Sequence, residues 1–412
     1  LIYTVGYVLK AYYDSDKVIL RSVKTMSRDL FIKTEFQQKW INKIENHKEA
    51  LQKHAEENDL HSKFPYENIN WLIKEGYTKT VLPKSYGGEG ATPEDVIILQ
   101  ETLGKIDGAT ALSIGWHMGV VGQIYSENLW DKEIMDEFAE EVLNGAIVNR
   151  AVSEADTGSP TRGARPSTNA KLVGDEYIIN GVKTFTTMSQ RLTHFLVGAF
   201  IPEKEALGFF LIPRETEGLT IAENWNMVGM RATESHDLVL DDMKIDKKYL
   251  VEVSKGPRGA VPNPWNLHIP AVYLGIAQAA RDYAVDFANE YSPGSIEGVI
   301  ADIPAVEQNI GNMELELTTA RHYIYSVIDK YQNPPITNAR INEEIGAAKH
   351  VVVNHAIKII DSAMRIVGAK SLEMERPLQR YYRDIRAGLH NPPMDDITIK
   401  KLAKQAREER TK

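Results

Sequence analysis

Two polar stretches between Arg150 and Thr187 hold the residue types that can grip a flat polar ring. The first is Ala151-Val152-Ser153-Glu154-Ala155-Asp156-Thr157-Gly158-Ser159; the second follows Asn180-Gly181 as Val182-Lys183-Thr184-Phe185-Thr186-Thr187. Hydroxyls and main-chain amides at strand ends can hold such a ring by its edge, and an aromatic can cover its face. The other chemistry-bearing side chains are imidazoles. His390 lies in Gly388-Leu389-His390-Asn391-Pro392 and His117 in Ser113-Ile114-Gly115-Trp116-His117, with His268 a third candidate behind them. A neutral imidazole titrating near pH 7 can take or give a proton at a substrate hydroxyl. Packing of the chain end by His390, and of an apolar helix by His117, is the competing reading.

Other chemistries find no support. His350 and His355 are five apart with no acidic cluster beside them, so no metal site is expected. Tyr86-Gly87-Gly88-Glu89-Gly90 lacks the Lys-Ser/Thr of a triphosphate loop. The chain has no Cys, which removes disulfides, thiolate metal sites and a cysteine nucleophile, and fits a cytoplasmic location. Its net charge of −9 includes no long basic run, which argues against nucleic acid as a partner. No stretch approaches the roughly 20 consecutive apolar residues of a membrane span.

The elements that must position these residues follow from periodicity. At 412 residues, 43% hydrophobic and 25% charged, the chain can fill two or three globular domains. Phe36, Trp40 and Ile44 share one face of a helix expected over Lys33 to Glu57, and Ile69, Leu72 and Ile73 repeat the pattern. Thr92-Pro93-Glu94-Asp95 reads as a capped helix start. The stretch from Gly145 to about Glu252 is β-rich: Ala170 to Ile179 alternates around a Gly174-Asp175 turn, and 195–200, 208–213 and 237–245 read as further strands. The helix breakers Gly256 to Pro264 form a linker, after which 269–287, 306–331 and 343–367 carry the long apolar stripes of a bundle that can also associate with other subunits. Met26-Ser27-Arg28 resembles a natural start, so 1–28 is expected to be an N-terminal extension outside the fold.

The strand-end block resembles the middle domain of the acyl-CoA dehydrogenase superfamily, with its Thr/Ser-Glu-x-x-x-Gly-Ser and Asn-Gly-x-Lys-x-(Trp/Phe)-x-Thr segments. Leu82-Pro83-Lys84-Ser85-Tyr86-Gly87-Gly88, Gly229-Met230-Arg231-Ala232-Thr233-Glu234-Ser235 and Arg383-Asp384 stand in the same order as in that family. The resemblance implies an α+β multidomain fold: an N-terminal helical domain (29–148), a middle β-barrel (149–255) and a C-terminal four-helix bundle (256–412). It also implies FAD or FMN as cofactor. Val152 and Ser153 would then meet the pyrimidine side, Phe185 would stack by the ring, Thr187 would reach the N5 region, Ser159 would lie by the pyrophosphate or the substrate, and Gly368 would receive the adenine end.

The implied reaction is α,β-dehydrogenation of an acyl-CoA thioester, served by an electron-transfer flavoprotein, in a homodimer or homotetramer. Its catalytic Glu is missing, however: the two places where the family carries it hold Pro392 and Trp265-Asn266. Gly388 to Pro392 and Trp116-His117 resemble segments of flavin-dependent monooxygenases of the same fold, and the missing Glu favours two alternatives. One is a two-component monooxygenase fed by a flavin reductase; the other is a catalytically silent flavoprotein or scaffold.

Overall fold

Thr34 and Gln37 cap one another at the start of α1 (Glu35–Asn46), the hydroxyl taking the Gln37 amide and the Gln37 side chain returning to Thr34. The computed structural model describes residues 7–14, 17–24, 27–158, 165–254, 263–337 and 340–411. Within them α1 turns Trp40, Ile41 and Ile44 inward. The single helix expected over 33–57 is two, because the chain breaks at His47, whose ring stacks on Trp71 at 4.2 Å, before α2 (Lys48–His61). Helix α3 (Tyr66–Lys74) follows. Thr92 and Asp95 repeat the reciprocal cap on α4 (Pro93–Ile106), with Pro93 in the first turn. Both α4 and α5 (Gly108–Glu127) are buried on nearly every side, and α6 (Lys132–Leu143) closes the helical part.

The middle of the chain is one eight-stranded sheet. Its strands are β3 (Val148–Ala151), β4 (Asn169–Val173), β5 (Glu176–Lys183), β6 (His194–Ile201), β7 (Ala206–Pro213), β8 (Leu219–Ala222), β9 (Asp237–Asp246) and β10 (Leu250–Ser254). They run in the order β10-β7-β6-β4-β5-β9-β8, with β3 parallel to β6. Strand β6 is buried almost throughout, as expected of an apolar run without alternation at the centre of a sheet. The β4–β5 hairpin turns at Gly174, which takes φ 65°. Tyr7–Asp14 and Lys17–Lys24 (β1 and β2) pair with each other in a separate two-stranded sheet. Of the expected linker, residues 256–262 lie outside the described residues.

Beyond it come α7 (His268–Glu290), α8 (Pro304–Gln332), α9 (Ile341–Val367), α10 (Pro377–Ile385) and α11 (Asp395–Glu408). Helix α7 crosses α4 at backbone contact. A Cβ on Gly104 would lie 2.5 Å from the Val272 carbonyl oxygen, and one on Gly275 2.3 Å from that of Glu101. Beside this crossing the buried Glu101 carboxylate takes Arg321 at 2.6 Å and Tyr325 at 3.0 Å. The two helical parts therefore share one core, against which the sheet is set. Among the described residues no helix is long and apolar enough to cross a membrane.

Candidate active site

The two polar stretches meet. The amide of Thr184 donates to the Ser153 carbonyl at 2.8 Å, and the Asn149 side chain of β3 donates to the Thr187 carbonyl at 3.2 Å. The second stretch was expected to form a strand end through Thr187. Instead β5 stops at Lys183, because the chain turns at Phe185 through a left-handed φ of 57°. That conformation is uncommon for an aromatic residue and lifts its ring out of the sheet. Phe185 is 58% exposed, edge-on to Trp225 at 6.1 Å.

Beneath this ledge lies a buried ion pair that residue types alone did not reveal as important. Glu154, from the first stretch, accepts Lys183 Nζ at 2.7 Å, the amides of Ser167 and Thr168 at 2.7 and 3.0 Å, and the Thr157 hydroxyl at 2.7 Å. Burial opposes ionisation of Glu154, but the hydrogen bonds from Lys183, Thr168 and Thr157 outweigh it and bring its pKa to about 2. Gly181 lets β5 approach, since a Cβ there would stand 2.3 Å from Thr168 Oγ1. A pair of opposite charges set into strands, one in each half of the motif, was the signal available in the sequence.

The ledge fits the flavin that the resemblance implies. The hydroxyls of Thr184 and Thr186 are buried with no hydrogen-bond partner, and the exposed Phe185 ring stands between them in sequence. Thr187 Oγ1 is 2.9 Å from Ser235 Oγ, which is 2.9 Å from Thr233 Oγ1, a hydroxyl chain that fixes where Thr187 points. Val152 and Ser153 are half-buried at the end of β3. Ser159 lies outside the described residues. Gly368 ends α9 with φ 66° and open space where a Cβ would be.

The histidines fall in different surroundings. His117 is fully buried with both ring nitrogens engaged by main chain: Nε2 donates to the Thr78 carbonyl at 3.2 Å, and Nδ1 accepts the Val148 amide at 3.1 Å. Burial pushes its pKa down to about 4, so the ring is neutral at physiological pH. His390 is exposed, at the end of the turn after α10, and Tyr273 of α7 donates a hydrogen bond to the adjoining Asn391 side chain. His268 is buried at the start of α7 with neither ring nitrogen partnered. Of the two places where the resemblance would put the base, Pro392 follows His390 by two residues, and Trp265 is buried with its indole N–H on Ser126 at 3.0 Å. No group of three metal-binding side chains occurs among the described residues.

A second junction draws three parts of the chain together. Asp384 accepts the Met230 amide at 2.6 Å, while Arg383 grips Asp59 of α2 through two bonds, of 3.0 and 2.5 Å, and the Val228 carbonyl at 2.9 Å. A Cβ on Gly229 would lie 2.2 Å from the Arg383 carbonyl oxygen. Gly229 to Ser235 and Arg383-Asp384 are thus the two halves of one interdomain clasp. Burial and the nearby Asp59 push the Asp384 pKa up to about 7.

Three family profiles match this architecture in order. They are the acyl-CoA dehydrogenase N-terminal domain over residues 37–128, the middle domain over 149–243 and the C-terminal domain over 267–391. The chain is 53% identical over 377 residues to YdbM of Bacillus subtilis (strain 168), whose name marks it as a candidate acyl-CoA dehydrogenase; the match spans 92% of this chain and 99% of YdbM. Among solved structures, butyryl-CoA dehydrogenase from Megasphaera elsdenii superposes with a TM-score of 0.81 at 20% identity, covering 89% of this chain and 97% of that one. KijD3 in complex with FMN and a dTDP-sugar gives 0.80 at 23% identity, covering 92% and 95%. At such identities the structural likeness speaks to fold. The consecutive profiles and the 53% identity establish that the chain belongs to the acyl-CoA dehydrogenase family.

Proposed function

We propose that the chain is a flavin-dependent oxidoreductase acting on an acyl-CoA thioester. Val152, Ser153, Ser159, Phe185 and Thr187 hold the flavin, and Gly368 leaves room for the far end of FAD. The observation that carries this reading is the ledge itself: two chain segments joined from Ser153 to Thr184 over a buried Glu154–Lys183 pair, with an exposed aromatic turned outward. When bound, the flavin supplies a two-electron acceptor for a hydride leaving the substrate. The chain's own tasks are to fix the ring's edge, exclude water and take the proton beside the thioester carbonyl. We assign that proton to an imidazole nitrogen of His390, which is exposed beside Asn391, the residue that accepts the Tyr273 hydroxyl. His117, with both nitrogens occupied, holds α5 to β3 and takes no proton.

The resemblance also supports a second reading. It would put the base at Pro392 or at Trp265-Asn266, where the sequence has no carboxylate, which suits a two-component monooxygenase that uses reduced flavin and O2 and has no α-proton to remove. Anaerobic mixing of the flavin-loaded protein with a series of acyl-CoA thioesters separates the two. Bleaching of the flavin band supports the dehydrogenase, with an electron-transfer flavoprotein as partner. No bleaching at any chain length, together with oxygen consumption when reduced flavin is supplied, supports the monooxygenase and a reductase partner. Absence of fluorescence quenching on titration with FAD and with FMN would overturn both and leave a scaffold. Leu315, Leu372 and Met374, exposed on the C-terminal helical part, are the surface we assign to a second copy, which light scattering checks.

A further inference from the structure

A cavity of about 250 Å³ opens between α2, the start of α3 and the turn at Glu234, on the flank of the interdomain clasp. Asn58, which precedes the Asp59 of that clasp, lines it with 7% of its surface exposed, and its amide nitrogen Nδ2 has no hydrogen-bond partner. Glu234 lines it from a left-handed backbone with φ 39°, a strained conformation of the kind that collects at binding sites. Burial holds the Glu234 carboxyl above its ordinary range, against the opposing pull of the Phe64 amide. His54 stands one turn before Asn58 on α2, on the same side of the helix. Its Nδ1 lies 3.0 Å from Asn68 Oδ1, while the Asn68 nitrogen donates to the Leu51 carbonyl, Asp107 and Thr110. The Asn68 oxygen is therefore the accepting end, so in the neutral imidazole Nδ1 carries the hydrogen and Nε2 is an acceptor. None of the residues assigned to the flavin or the thioester lines this cavity.

The balance of its polar groups is one-sided. Glu57, Glu67 and Glu234 bring three carboxylates and His54 a further acceptor; against them stand the Asn58 Nδ2 donor and the exposed Lys63 ammonium, with the Tyr66 hydroxyl able to act either way. No group of three acidic or imidazole side chains among the described residues is close enough to hold a metal ion, so the complementary charge belongs to a larger, polyatomic group. We infer that this cavity is a second binding site that takes a small organic cation, a primary ammonium carrying a hydroxyl or carbonyl oxygen in the same molecule. The ammonium meets Glu234 and the acids around it, and the oxygen accepts from Asn58 Nδ2. Exposed carboxylates contribute little in salt, so selectivity rests on half-buried Glu234 and on Asn58. The Phe64 and Tyr66 rings, edge to face with centroids 5.0 Å apart, give the carbons of the occupant an apolar wall. The volume lies below the roughly 300 Å³ at which sites for drug-sized ligands begin, which limits the occupant to a few heavy atoms.

The site stands apart from the acyl-CoA reading, and its test uses the full, flavin-loaded protein. Calorimetric titration near neutral pH compares 4-aminobutanol, butylamine and 1,4-butanediol, in about 0.15 M salt so that general attraction to a chain of net charge −9 is screened. 4-Aminobutanol should bind with a Kd below about 1 mM, butylamine about three- to tenfold more weakly for want of the oxygen, and butanediol not measurably. Two substitutions locate the binding. Asn58→Leu should erase the gap between the two amines without lowering the melting temperature, because Nδ2 gives up no bond. Glu234→Gln should weaken both amines by about tenfold. Either variant suffices if the other fails to fold. Butanediol binding as tightly as the amines, butylamine matching 4-aminobutanol, or no binding of any of the three would overturn the inference. Amine affinities untouched by the substitutions would overturn it by putting the binding elsewhere, and amines that bind only the flavin-free protein would overturn it by making the cavity part of the ledge.

Discussion

Replacing either member of the Glu154–Lys183 pair tests the ledge on which the functional reading stands. The Lys183 side chain is 0% exposed and that of Glu154 4%, so neither charge can turn to water when its partner is removed. The consequences differ by chemistry. In Lys183→Met the Glu154 carboxylate keeps three neutral donors, from Thr157, Ser167 and Thr168. In Glu154→Gln the Lys183 ammonium loses its counter-charge in a dry interior. Breaking a buried pair by removing one partner costs about 3–5 kcal/mol, so Glu154→Gln belongs at the upper end and Lys183→Met at the lower. The double variant, with no charge left unbalanced, should cost less than the sum of the singles by about 1–3 kcal/mol.

The assay is urea unfolding of all four proteins followed by tryptophan fluorescence, with FAD and FMN titrated in parallel. Glu154 is held well below its ordinary range, at a pKa of about 2 instead of 4.5. Its carboxylate therefore contributes stability fully above about pH 4.5 and loses it as the pH falls toward 2, so the gap between parent and single variants should narrow in acid. Because the pair sits under Ser153 and Thr184, both singles should also weaken flavin binding by about tenfold or more. Single-variant costs below about 1 kcal/mol that simply add, with flavin affinity moving less than twofold, would refute the claim that this pair fixes the ledge.

Phe185→Ala should leave stability within about 0.5 kcal/mol, since the ring is largely exposed, yet raise the flavin Kd about three- to tenfold if the ring stacks there; fluorescence quenching reads the second effect. Asp384 keeps its proton up to about pH 7 in the folded chain and up to about 3.8 in the unfolded one. Between those values the folded state binds more protons, so stability should fall as pH rises, by at most about 4 kcal/mol, and level off above 7; Asp384→Asn should flatten the curve measured by thermal unfolding. His390→Ala should slow turnover at least about tenfold, while an unchanged rate would return His390 to a packing role.

What could be read in the sequence was local. Thr92 announces its helix because a cap is a contact within three residues, and Gly174 announces its hairpin because the turn needs its φ. The order of helical, β-rich and helical parts was equally legible from apolar periodicity. Where β5 stops was not: Phe185 adopts a left-handed conformation that its own preferences disfavour, imposed by the Thr184–Ser153 bond to a segment some thirty residues earlier. Glu154 and Lys183 were visible inside their motifs, but a carboxylate and an ammonium 29 residues apart declare themselves partners only when the strands are laid side by side. His268 shows the same limit more sharply. Its unpaired state is a property of three helices together, and no window of sequence contains it.

The placement of α5 explains why polar atoms can persist unpaired in the middle of this fold. His117 ties α5 to β3 through the Val148 amide, so the helix cannot slide or turn to offer partners to its neighbours without breaking the entrance to Ser153. On its other side Gly115, Gly119 and Gly122 let α7 and the turn before it come close, and a Cβ on Gly122 would stand 2.4 Å from the Trp265 ring. That closeness leaves His268 and Gln100 little freedom to reach each other or the main chain. One helix thus sets the register between the strand that leads to the ring-holding ledge and the helix end that bears the unpaired imidazole. A substitution on α5 that shifts it along its axis should therefore weaken flavin binding, whereas His268→Leu, which leaves α5 tied to β3, should keep the flavin Kd within about twofold by fluorescence quenching.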